Sequence, residues 1–356
     1  MSISHQPTVL VTHPIFEQTR SVLAPHVQLI VNEQPSPWSR EELKQRAADV
    51  DGLLAFMTDC IDQDFLAGCR RLRVIGAALK GYDNIDIDAC RAAGVTVTIV
   101  PDLLTVPTAE LAIGLMLALG RNMLVGDRQI RASGFSGWRP SLYGMGLQDA
   151  TVGILGYGLV GRAIAARLQS FGCNLLASDQ RKPPARELAH DRVVWVNQRS
   201  LLRQSDYVVL ALPLTPKTIH VIDHDAIEGM KPGARLINPA RGSLVNEAAV
   251  ADALDRGHLA GYAADVFECE DWARQPRPDR IEPRLRSAEA STVLTPHIGS
   301  AVMDVRRQIE LSAATGIIDV LQGRKPSHAL EIAAQPPEAN HKNDQSIAHQ
   351  NLSGSC

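Results

Sequence analysis

Three short motifs in the second half of the chain each carry a side chain suited to proton transfer or oxyanion binding. They are Ile237-Asn-Pro-Ala-Arg241-Gly242, Asp265-Val-Phe-Glu-Cys-Glu270 and Thr295-Pro-His297-Ile-Gly-Ser300. An arginine presents a planar fork that suits an oxyanion, a geometry lysine does not match. A histidine exchanges a proton near neutral pH, and a carboxylate on its second ring nitrogen fixes the tautomer. Upstream stands Gly156-Tyr-Gly-Leu-Val-Gly161, between an apolar run at 151–155 and a helical pattern at 162–171 that Gly172 closes. A second strand pattern at 174–178 ends on Asp179. Strand, glycine turn, helix, strand and acid, in that order, form a dinucleotide-binding unit. Gly156 allows the tight turn, Gly158 lets the backbone approach a pyrophosphate, and Gly161 lets helix and strand pack closely. The helix start offers unpaired N–H groups and a positive dipole end to phosphates. Asp179 lies about 20 residues on, where a carboxylate accepts from a ribose 2′-OH.

The elements that must position these residues read as α/β throughout. Strand patterns at 207–212, 235–238, 261–266 and 292–294 follow the glycine unit, and the Arg, Glu and His motifs each close a strand. Ligands bind beyond the carboxyl ends of strands in open α/β sheets, so one crevice receives all three side chains. Earlier strand patterns at 8–12, 53–56, 73–77 and 95–100 alternate with helices, one opened by the capping box Ser39-Arg-Glu-Glu42. They predict a first doubly wound domain of flavodoxin-like kind. A helix at 108–123, apolar nearly all round, reads as buried between domains or at a subunit interface. A loop at 133–146 precedes the glycine unit, and the amphipathic helix from Met303 to near Gly323 is expected to complete the first domain. The division is therefore 1–104 plus 300–330 for a substrate domain and 105–299 for a Rossmann domain. The polar stretch 334–356 reads as a disordered tail.

Composition narrows the class. The chain has 356 residues, enough for two domains, with 45% hydrophobic and 21% charged residues. A formal net charge of -3 gives no sign of a nucleic-acid surface. The 6 cysteines form no C-x-x-C pair and no zinc-like cluster with histidine, which fits free thiols in a reducing compartment and no metal. No signal-peptide pattern and no bilayer-length apolar run is evident, so a cytoplasmic protein away from the membrane is expected.

Together the glycine fingerprint and the Arg/Glu/His set resemble the D-2-hydroxyacid dehydrogenase family, from about Thr8 to Gly323. The resemblance implies that Arg241 binds substrate, His297 is the acid/base and Glu270 supports His297. It implies cofactor contacts from Thr108, Gly156, Tyr157, Gly158, Leu159, Val160, Gly161, Asp179, Pro213, Ala240, Asp265 and His297. It also implies a homodimer.

Within that family, Leu79-Lys80-Gly81-Tyr-Asp-Asn-Ile-Asp86 is unusual, because a small uncharged residue usually stands where this chain has Lys80. Lys80 is similar to the phosphite (phosphonate) dehydrogenases. So are Ala55-Phe-Met57, the run from Val100 through Leu104 to Thr108, Trp138 with Tyr143, and Ser300 followed by Arg306. That likeness implies substrate contacts from Lys80, Gly81, Met57, Leu104, Trp138, Tyr143, Ser300 and Arg306, and phosphite as the small oxyanion bound. Phosphite oxidation needs a site that binds a dianion and activates water, with Lys80, Arg241 and Arg306 as fixed cations and His297 as base. NAD is expected from Asp179, with some NADP use through Arg181 and Lys182. Two other readings stay open: a reductase of a small 2-keto acid such as glyoxylate or hydroxypyruvate, and a non-catalytic dinucleotide sensor on the same fold.

Overall fold

Short apolar runs, buried on both faces, build the protein's two parallel sheets. The computed structural model describes residues 6–100, 102–272, 276–287 and 291–330. The 334–356 segment, expected to be a disordered tail, lies outside the described residues.

The first sheet contains β1 (Thr8–Val11), β2 (Gln28–Val31), β3 (Gly52–Ala55), β4 (Val74–Ala77) and β5 (Thr96–Thr98), in the order β2-β1-β3-β4-β5. Every neighbouring pair is parallel, and the order is that of a flavodoxin-like sheet. Strands β3 and β4 are buried at every position, as helices on both faces require. Edge strand β2 alternates between exposed and half-buried positions, which is why its Gln-Leu-Ile-Val carried no clear strand pattern in the sequence.

The second sheet contains β6 (Thr151–Leu155), β7 (Asn174–Ser178), β8 (Val193–Trp195), β9 (Tyr207–Leu210), β10 (Ala234–Asn238), β11 (Leu259–Ala264) and β12 (Thr292–Leu294). Its order is β12-β11-β10-β9-β6-β7-β8, again with parallel pairs throughout. The chain reverses direction across the sheet between β6 and β9, which opens a crevice at the carboxyl end of β6.

Helix Met303–Leu321 returns to the first sheet. A Cβ on Gly76 of β4 would lie 2.7 Å from the Ala313 carbonyl and from Ile317, so the bare glycine admits the helix. The apolar helix runs over Thr105–Gly120 rather than 108–123. Its Ala109, Ala112, Leu115, Met116 and Leu119 share one core with Val152, Ile154, Val209 and Ala263 of the second sheet. Its apolar character is thus accounted for by packing within its own chain, each buried aliphatic side chain contributing about 1.5–3 kcal/mol. The chain then bends by 59° into a second helix, Met123–Ser133, through Asn122 at φ 54°. Among the described residues no single helix is long and apolar enough to cross a membrane.

Candidate active site

Gly156 follows β6 at φ +98°, and a Cβ there would stand 2.5 Å from the Ala211 carbonyl oxygen. A Cβ on Gly161 would collide with the Gly156 carbonyl, so both glycines are demanded by packing. Gly158 differs: a Cβ there meets nothing within 4 Å. It caps helix Leu159–Leu168, whose first-turn N–H groups, including those of Leu159 and Val160, lack intrahelical acceptors. Open space before a positive helix end fits a pyrophosphate.

Asp179 closes β7 and binds back to this turn. Its Oδ2 accepts from the Tyr157 N–H at 2.7 Å and its Oδ1 from the Gln180 N–H at 2.6 Å. Arg181 and Lys182 follow it, both exposed. Tyr157 stands in the glycine turn, where the resemblance places it at the cofactor, and turns its side chain inward. Its side chain is buried, its hydroxyl donates to Asp191 Oδ2 at 2.7 Å, and its ring meets Trp195 edge-on. Burial, then Asp191, raises the Tyr157 hydroxyl pKa. The reason is apolar area: the ring gains more from the core than from solvent at the turn, and its amide is already bonded to Asp179.

At the end of β10, Arg241 is held from three sides. Its Nε donates to Asp83 Oδ1 at 2.9 Å, one Nη donates to the Ala240 carbonyl at 2.9 Å, and the other reaches Met57 Sδ at 3.9 Å. Gly81 lies so close that a Cβ would strike the guanidinium. Arg241, Gly81 and Met57 are thus brought together as expected, while Asp83 was quoted in the sequence without a role.

His297 sits at φ 55° in the turn after β12, and its Nδ1 lies 2.7 Å from Glu270 Oε2. A carboxylate only accepts, so Nδ1 carries the proton and Nε2 is left as the proton acceptor. Glu270 is fixed in turn by the Phe267 N–H at 2.8 Å to Oε1. Asp265, which the resemblance places at the cofactor, also holds this turn: it accepts from Thr295 Oγ1 at 2.5 Å, Ile298 N–H at 2.8 Å and Gly299 N–H at 2.7 Å. Burial raises its pKa against those bonds. A Cβ on Gly299 would meet Thr108 Oγ1 at 3.5 Å, which places Thr108 against the His297 turn. Ser300 is half-buried just beyond, and its carbonyl accepts from the Val302 N–H at 2.8 Å.

Two further cations adjoin this set. Lys80 is half-buried and donates to Thr105 Oγ1 at 3.0 Å; burial lowers its pKa, and Asp102 opposes the fall. The Arg306 guanidinium stands 5.7 Å from the Phe56 ring, and burial lowers its pKa, opposed by Glu310. His13 covers the same Phe56 ring at 5.1 Å between centroids, a neighbour the sequence did not flag. Among the described residues no carboxylate forms an ion pair with Lys80 or Arg306. Leu104 is half-buried at the start of helix Thr105–Gly120, Ala240 bonds Arg241, and Pro213 is exposed after β9.

Trp138 and Tyr143 do not join the cluster. They stand out from the 134–146 loop at 76% and 79% exposure.

Turn, crevice and Arg/Glu/His set define a nicotinamide-dependent oxidoreductase. The family described as "D-isomer specific 2-hydroxyacid dehydrogenase, NAD binding domain" matches residues 113–299. The chain is 34% identical over 328 residues to a glyoxylate reductase of Thermococcus onnurineus, covering 90% of this chain and 95% of that one. It is 36% identical over 324 residues to a glyoxylate reductase of Thermofilum pendens, covering 90% and 93%. Among solved structures, the TT0316 protein from Thermus thermophilus matches with a TM-score of 0.82 at 32% identity, covering 91% of this chain and all 100% of that one. The chain belongs to the D-isomer specific 2-hydroxyacid dehydrogenase family, and its cofactor is NAD(H).

Proposed function

We propose that this protein is a cytoplasmic, homodimeric NAD-dependent phosphite dehydrogenase, with a substrate domain of 1–104 plus 300–330 and a Rossmann domain of 105–299. The observation that carries the reading is a contiguous run of cations. Arg306 borders Phe56; Met57, next in the chain, touches Arg241; Gly81, next to Lys80, also touches Arg241. Lys80 and Arg306 carry charge that no carboxylate ion pair offsets among the described residues. Three cations around one crevice suit a compact dianion better than the single carboxylate of a 2-keto acid.

Arg241 and Lys80 hold the phosphite oxygens, and Arg306 adds its field from the Phe56 side. NAD, when bound, accepts the hydride that leaves phosphorus. Nε2 of His297 takes the proton from water as the water oxygen bonds to phosphorus, and Glu270 stabilises the imidazolium through Nδ1. The homodimer draws support from the exposed Met123, Leu124, Val125 and Ile130 of one helix and from the exposed Phe135, Trp138 and Tyr143 beyond it, large apolar side chains of the kind that subunit interfaces cover.

A second reading, reduction of glyoxylate or a similar 2-keto acid, draws support from relatives named glyoxylate reductase at 34% and 36% identity. Both readings meet one assay. The purified protein is given NAD with phosphite or with a panel of 2-hydroxy acids, and NADH with glyoxylate, while NADH and phosphate are followed. Equimolar NADH and phosphate from phosphite is the expected result. Turnover of glyoxylate or glycerate with none of phosphite would establish the second reading.

A further inference from the structure

Glu270 is flanked in the chain by two buried carboxylates, Glu268 and Asp271, and both are tied to the turn that carries Arg241. Asp271 Oδ2 accepts from the Ser243 N–H, two residues beyond Arg241. The carbonyl of the same Ser243 accepts from the His220 N–H at 2.7 Å. The His220 ring then reaches the other flank, with Nε2 lying 2.9 Å from Glu268 Oε2. A carboxylate only accepts, so Nε2 carries the proton. Three bonds thus run from Glu268 through His220 and Ser243 to Asp271, and Glu270 stands between their two ends in the chain. We propose that His220 and Glu268 are positioning residues: together they hold the Arg241 turn in fixed relation to the Glu270–His297 pair. The inference rests on Arg241 as the oxyanion-binding group and His297 as the proton acceptor of the proposed dehydrogenase.

Each end of this tie is itself anchored. The Arg241 carbonyl accepts from Asn238 Nδ2 at 2.8 Å and from the Leu244 N–H at 3.3 Å, so a single 3-10 turn, Gly242–Leu244, opens directly behind it. A Cβ on Gly242 would collide with the Phe267 carbonyl, so that turn packs backbone to backbone on the next one, Glu268–Glu270. Glu268 and Glu247 aim each other: Glu268 Oε1 accepts from the Glu247 N–H at 2.8 Å, and the Glu268 N–H donates to Glu247 Oε1 at 2.8 Å. The other Glu268 oxygen is the one directed at His220. The segment of His220 continues the contact, since the Ile222 N–H donates to the Leu244 carbonyl at 3.0 Å. The His220 and Glu268 side chains are 24% and 7% exposed, so their bond is largely shielded from water and resists distortion.

His220→Asn and His220→Gln separate reach from folding. His220 sits at φ 51°, a conformation that asparagine adopts more readily than glutamine. The asparagine amide ends too close to the backbone to reach Glu268, whereas the glutamine amide extends to where Nε2 stands. His220→Asn should raise the substrate KM and lower kcat. Their ratio should fall by roughly tenfold or more, within the factor of about 10² that a misplacement of about 1 Å costs. The KM for NAD should hold, and His220→Gln should recover most of the loss. A residue that only stabilised the fold would give the opposite order, with asparagine the better substitute and the substrate KM unmoved. An unchanged substrate KM in His220→Asn, or an asparagine variant at least as active as the glutamine one, would overturn the proposal. If neither variant folds, Glu268→Asp provides a second test, because it withdraws the carboxylate by one methylene and keeps its charge. The same fall in kcat/KM is expected there, and wild-type kinetics would equally overturn the tie. Phosphite with NAD and glyoxylate with NADH are both assayed. If the wild-type protein turns over neither, the proposed function fails, and the proton resonance of His297 Nδ1, identified by its loss in His297→Gln, decides the tie instead. That low-field signal should weaken in His220→Asn and persist in His220→Gln, and an identical signal in wild type and His220→Asn would sink the proposal.

Discussion

The Arg241 guanidinium and the Asp83 carboxylate meet at 2.9 Å, joining the turn after β10 of the second sheet to the turn after β4 of the first. Their side chains are only 15% and 7% exposed, so the bond is shielded from water and holds the fork in one pose. The guanidinium after β10 of the second sheet is therefore held by a carboxylate from the turn after β4 of the first.

Asp83→Ala should free the guanidinium. Losing one partner of a buried pair costs about 3–5 kcal/mol in the folded site. Expected is a KM for substrate raised by roughly 10² or more, with a smaller change in the KM for NAD. Steady-state kinetics with each substrate varied in turn provide the check. An unchanged substrate KM would show that Arg241 holds its pose without Asp83.

Binding and chemistry should separate by residue. Lys80→Ala removes a charge-assisted bond of about 1.5–3 kcal/mol and should raise the phosphite KM by on the order of tenfold. His297→Ala should instead lower kcat by roughly 10² or more, as loss of a general base does. Glu270→Gln should fall between them, because a neutral amide no longer favours the imidazolium on Nδ1. If kcat survives His297→Ala and collapses in Lys80→Ala, the base has been misassigned.

Asp179 holds the glycine turn through the Tyr157 N–H, and the cofactor discrimination expected of it can be tested at the same position. Asp179→Ala should relax discrimination against NADP, since the carboxylate no longer repels a 2′-phosphate. It should also raise KM for NAD, since the turn loses a charge-assisted bond of about 1.5–3 kcal/mol. An unchanged NAD to NADP efficiency ratio would place Asp179 away from the ribose.

Asp59 offers a test of stability against pH. It is 3% exposed and accepts from Thr12 Oγ1 at 2.6 Å and the Phe56 N–H at 2.7 Å, yet burial raises its carboxyl to about 6. Its ordinary value in an unfolded chain is about 4. Between those values the folded state binds the proton more tightly than the unfolded state, so this group favours folding at low pH. The contribution is lost as pH rises through about 6. Asp59→Asn should remove that decline, so its Tm relative to wild type should climb between pH 4 and 7. Parallel Tm profiles would show that Asp59 keeps an ordinary pKa.

The two parallel α/β sheets, the glycine turn and the three strand-end motifs are legible in residue order alone. These are local: a strand buried on both faces is written as a continuous apolar run, and Gly156 and Gly161 are required by backbone atoms of their own unit. Only the tertiary structure decided how the polar groups are shared among them. Tyr157 was left to burial in the core, and Asp265 was given to the His297 turn. Asp83 lies 158 positions from Arg241 in the chain, yet its carboxylate holds the guanidinium. A hydrogen bond or a coulombic pair depends on distances that exist only after the sheets have folded and closed on one another. The strand-end motifs and the family resemblance could therefore name Arg241, Glu270 and His297, but not the carboxylate that holds Arg241.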